Sequence, residues 1–87
     1  MLAKIMTRAT YVATFVREGP YIIVNFPDLG IVTQGNNYAH AIKNAEAAMQ
    51  IYLRALAKDQ DPIPEPAKKI IDVQKAPGIH KEVTVDY

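Results

Sequence analysis

"FPDLGIVTQGNN", residues 26–37, is where the hydrophobic period of this chain changes from two to about 3.6. Before it, "YIIVNF" (21–26) is β-branched and aromatic, which predicts a strand with both faces partly covered. Pro27 lacks an amide donor and ends that ladder, while Asp28 and Gly30 shape a turn. The Asp28 carboxylate is expected to accept from nearby backbone amides, as in an Asx-type turn. "IVTQ" (31–34) is a short third strand that Gly35 breaks, and Asn37 is placed to cap a helix through its side-chain oxygen.

Downstream, Tyr38, Ala41, Ile42, Ala45, Met49, Tyr52, Leu53 and Leu56 recur at steps of three and four and form one apolar stripe. Lys43, Glu46, Gln50, Arg54 and Lys58 fall on the opposite side. Residues 38–58 hold no Gly or Pro and are rich in alanine, so they predict one long helix, with Lys58 suited to the negative end of its dipole.

Toward the N-terminus, residues 9–16 alternate, with Tyr11, Ala13 and Phe15 on one face, and predict the first strand. "REGP" (17–20) supplies a turn in which Gly19 is free to take positive φ. Beyond the helix, Pro62, Pro64 and Pro66 impose an extended connector from which Ile63 tucks inward. "IIDV" (70–73) is a short apolar patch of strand or single-turn type. "HKEVTVDY" (80–87) alternates again as a fourth strand. The expected architecture is α+β, β-β-β-α-β, a single domain over 1–87 with one long helix packed on a face of one four-stranded sheet. The long crossover into the last strand lets it lie parallel to a neighbour, so a mixed sheet is expected.

Composition narrows the function classes. The 87 residues carry a net charge of +1 and no cysteine, which excludes disulfides, thiolate metal sites and Cys nucleophiles and fits the cytoplasm. The basic residues are scattered, the closest pair being Lys68-Lys69, so there is no stripe of the kind that binds nucleic acid, and no apolar run long enough to span a membrane. Gly30 and Gly35 lack the spacing and the Lys-Ser/Thr of a phosphate loop. There is no serine, and His40 and His80 stand alone, outside any metal-ligand spacing. No catalytic residue, metal or cofactor is expected.

"FPDL", "TQG", "NAEAAMQIYL" and "PIPEP", in this order and nearly this spacing, resemble the N-terminal domain of the HicB family of antitoxins over about residues 11–73. The resemblance implies a partial RNase H-like β-β-β-α-β layer. It implies a protein that binds and neutralises a small, basic, mRNA-cleaving HicA-type toxin and is not an enzyme. An RNase H-like nuclease needs an acid in the middle of its first strand to hold a metal, and Tyr11 to Val16 contain none. The other reading is an orphan HicB-fold regulator that binds nucleic acid or a small ligand without a toxin. The chain departs from the family pattern in three places. "FPDLGIVTQG" is one residue short; His40 stands where a capping-box Glu is usual; and no DNA-binding segment follows strand four, so DNA binding is not expected of this chain alone. Asp28, Gln34, Asp59, Asp61 and Glu65 are the expected partner-binding residues, the carboxylates suiting a cationic partner. Two sheet edges on a small domain also lead to the expectation of a homodimer or homotetramer.

Overall fold

The computed structural model describes residues 6–66 and 77–87. Four strands, β1 (Arg8–Glu18), β2 (Tyr21–Phe26), β3 (Ile31–Gly35) and β4 (Ile79–Asp86), form one sheet in the order β3-β2-β1-β4. The helix α1 (Tyr38–Lys58) lies across one face, with the bounds that the apolar stripe predicts. The "IIDV" patch and Lys68-Lys69 lie outside the described residues.

β1 and β2 meet through a two-residue turn with Gly19 at φ 58, the positive φ that the first central position of a tight hairpin requires. In the β2–β3 hairpin the Leu29 and Gly30 amides both donate to the Phe26 carbonyl, at 3.1 and 2.9 Å, and Gly30 takes φ 69. Leu29 folds back into the core at 7% exposure, so this loop is anchored by an apolar side chain as well as by its amides.

The sheet is antiparallel throughout, which corrects the mixed sheet expected from the sequence. The reason lies in where the connector goes. α1 begins where Tyr38 packs on Phe15, ring centroids 5.2 Å apart, and runs toward Asp86, whose carbonyl accepts from Gln50 Nε2 at 2.7 Å. β4 starts at Ile79 opposite Phe15 and ends beside Arg8. The end of α1 and the start of β4 therefore lie at opposite ends of the sheet, and β4 runs opposite to β1. A parallel β4 would start where the helix ends and need only a short loop.

The core lies between α1 and one sheet face. Tyr11, Ala13, Phe15, Val24, Phe26 and Val83 from the sheet meet Ala41, Ala45, Met49 and Leu53 from the helix, with Ile42, Tyr52 and Ile63 packed around them. Among the described residues no charged side chain is buried. Gly35 does not break β3, as the sequence reading has it, but is its last residue, paired with Ile22. A Cβ there would stand 2.3 Å from the Ala41 nitrogen, so the missing side chain lets the helix start directly against the sheet.

Candidate functional site

Four of the five expected partner-binding residues belong to the two segments that meet β1 near Tyr11, the β2–β3 loop and the connector. Tyr11 is 2% exposed and its hydroxyl donates to the Pro64 carbonyl at 2.5 Å, which fastens the proline-rich connector onto β1. Burial first, and then the nearby Tyr87, Glu65, Asp28 and Tyr52, push its phenol above the ordinary value of 10.0. Asp28, half-buried in the hairpin loop, and Glu65, exposed on the connector, are thus both within electrostatic reach of one phenol. They are 37 positions apart in the sequence (65 − 28). Beside them is a cavity of about 300 Å³ lined by Arg8, Tyr11, Ile63, Pro64, Glu65 and Tyr87.

Asp59 and Asp61 lie at the C-terminal end of α1, both exposed. The helix stops there by a Schellman arrangement. The Asp61 amide donates to the Leu56 carbonyl at 2.8 Å, the Gln60 amide to that of Ala57 at 3.1 Å, and Gln60 takes φ 58 where glycine is usual. The two acids are thus backbone stops as well as exposed charges.

Gln34 is apart from this group, near the start of α1, where its carbonyl accepts from Asn44 Nδ2 at 2.8 Å. Asn37 caps the helix as expected, its Oδ1 accepting from the His40 amide at 2.9 Å. His40, which the sequence puts at the capping-box position, has a bonding role there that the sequence reading did not assign. Its Nδ1 accepts from the Asn36 amide at 3.1 Å and its Nε2 lies 3.2 Å from Asn44 Nδ2. The imidazole does for Asn36 what a capping-box Glu does for the N-cap amide, and its position three residues past Asn37 was the available signal. A second cavity, of about 350 Å³, lies at this end among Phe15, Arg17, Ile22, Tyr38, Gly78 and Ile79.

Among the described residues no group of three or more His, Asp or Glu is placed to hold a metal ion. No helix among them is long and apolar enough to cross a membrane. The chain matches no protein-family model, and neither the curated proteins nor the solved structures contain a match to it.

Proposed function

We propose that this protein is an antitoxin-like interaction domain of the HicB type, working in the cytoplasm, which binds and neutralises a small, basic, mRNA-cleaving toxin. The observation that carries the proposal is the ordered set "FPDL", "TQG", "NAEAAMQIYL" and "PIPEP", now seen on four consecutive pieces of one α+β layer: hairpin loop, third strand, helix and connector. The partial RNase H-like reading rests on the order β-β-β-α-β, and the antiparallel β4 is where the chain departs from it. The end around Tyr11 suits a cationic partner. Asp28 and Glu65 are both within electrostatic reach of Tyr11, and Asp59 and Asp61 add exposed negative charge on the adjoining segment. The cavity beside Tyr11 is lined by Glu65 and Tyr87 and also by Arg8, so a basic side chain that enters it meets a carboxylate and an aromatic residue beside one cation.

The test is co-purification and calorimetry of the full chain with the product of the adjacent gene. A complex is expected whose affinity falls at least about tenfold in Asp28→Asn/Glu65→Gln, a loss of about 1.4 kcal/mol, and falls again with added salt. No complex with that product, together with salt-dependent binding to operator DNA or to RNA, would replace the inhibitor with the orphan regulator.

A further inference from the structure

The two edge strands of the sheet differ in chemistry. β4, "IHKEVTVD", carries Lys81, Glu82 and Asp86, and Asp86 pairs with Arg8 at 3.2 Å. Charges on an edge strand discourage a foreign strand from adding to it. β3, "IVTQG", carries none, and the whole stretch from Leu29 to Ile42 contains no Asp, Glu, Lys or Arg.

The two most exposed large aliphatic side chains among the described residues flank this uncharged edge. Val32, 65% exposed, projects from the sheet face opposite the helix. Ile51, 67% exposed, lies on α1 seven residues after Asn44, and therefore on the same helix flank. Asn44 reaches the Gln34 carbonyl of β3, so that flank overhangs the β3 edge. β4 also bears an exposed aliphatic residue, Ile79 at 55%, but on a strand that carries charges.

We propose that β3 pairs with β3 of a second copy of this chain, antiparallel about a twofold axis near Thr33, so that two four-stranded sheets become one. Twofold pairing sets Val32 opposite Gln34 of the other copy and brings no charge against a like charge, which is the usual obstacle to self-pairing. The edge alone is too small. A stable dimer hides about 800 Å² per partner, roughly a seventh of the 5956 Å² that this chain exposes. In the proposed dimer the rest comes from the helix flank that carries Asn44, Ala48 and Ile51 at steps of three and four. A charged partner strand finds nothing here to select it, whereas a second copy finds an equally neutral surface. The inference does not depend on the presence of a toxin.

Sedimentation equilibrium of the full chain, from about 1 µM to about 1 mM, tests it. A dimer is expected, with hydrogen exchange at the Val32 and Gln34 amides slowing as it forms. Val32→Lys and Ile51→Glu should each raise the dissociation constant at least about tenfold. Both positions are exposed, so circular dichroism should show folded monomers. Thr84→Lys, on β4, should leave the dissociation constant within about twofold. A chain that stays monomeric over this range overturns the proposal. So does a dimer or larger assembly that survives both β3-side variants, or one that Thr84→Lys dissociates.

Discussion

On the face under α1, Tyr11, Ala13, Phe15, Val24, Phe26 and Val83 are each 2% exposed or less, and their contacts cross from sheet to helix. On the far face, Asn25, Val32, Gln34, Glu82 and Thr84 are exposed. Its contacts run between neighbouring strands: Thr10 Oγ1 to Thr84 Oγ1 at 2.7 Å, and Arg8 to Asp86 at 3.2 Å. One period-two alternation builds both faces, but the core cluster lies under the helix; on the far face Val12, 3% exposed, is the one buried strand side chain among the described residues. The covered face stabilises through apolar area removed from water. The far face offers exposed hydrogen bonds and an ion pair whose partners keep water as an alternative.

The sharpest way to break this comparison is to hollow the covered face. Leu53→Ala removes a fully buried side chain and should cost about 2–5 kcal/mol in urea unfolding. If it cost under about 1 kcal/mol, the helix would not be the principal cover of the sheet.

Gly35→Ala probes the same face where helix and sheet are closest. The new Cβ meets the Ala41 nitrogen at 2.3 Å and its Cα at 2.6 Å, backbone atoms that cannot turn aside as a side chain can. A loss of about 1–3 kcal/mol is expected, with faster hydrogen exchange in the first turn of α1.

Tyr11→Phe asks what the polar anchor of the connector contributes. Losing the bond to the Pro64 carbonyl should cost about 1 kcal/mol. It should also change the response to alkali. The folded-state phenol titrates above its unfolded value of 10.0, so above that value the unfolded chain releases its proton first. The contribution of Tyr11 is therefore complete below pH 10.0 and is lost as pH rises through the folded value. Unfolding midpoints should fall with pH above that point in the native chain and fall less in Tyr11→Phe. Equal slopes would remove Tyr11 as the source.

The smallest effect belongs to the far face. Thr84→Val gives up the hydroxyl contact with Thr10 on an exposed ladder, and a change within about 0.5 kcal/mol is expected. A loss as large as that of Leu53→Ala would mean that both faces carry the fold.

The elements themselves were legible in the sequence. The alternation of Tyr11, Ala13 and Phe15, the change of period after Asn37 and the stripe from Tyr38 to Leu53 are local signals, and the strands and helix stand where those signals put them. Three features were not legible. Gln60 takes the left-handed position with no glycine to announce it, because the two closing bonds at the helix end hold it there. The need for glycine at 35 comes from the backbone of Ala41, in another element. Asp28 and Glu65 were chosen for their charge, but that both act on Tyr11 depends on a loop and a connector folding onto β1.

The sequence by itself determined which residues form strands and helix and which face of each is apolar, since periodicity and turn chemistry act over a few neighbouring residues. Only the tertiary structure decided the direction of β4, the seating of Pro64 on Tyr11 and the electrostatic reach of Asp28 and Glu65 to that phenol. The Tyr11–Pro64 bond spans 53 positions, and the β1–β4 pairing joins Arg8 to Asp86. No local preference specifies either; both are selected when the whole apolar face is buried at once.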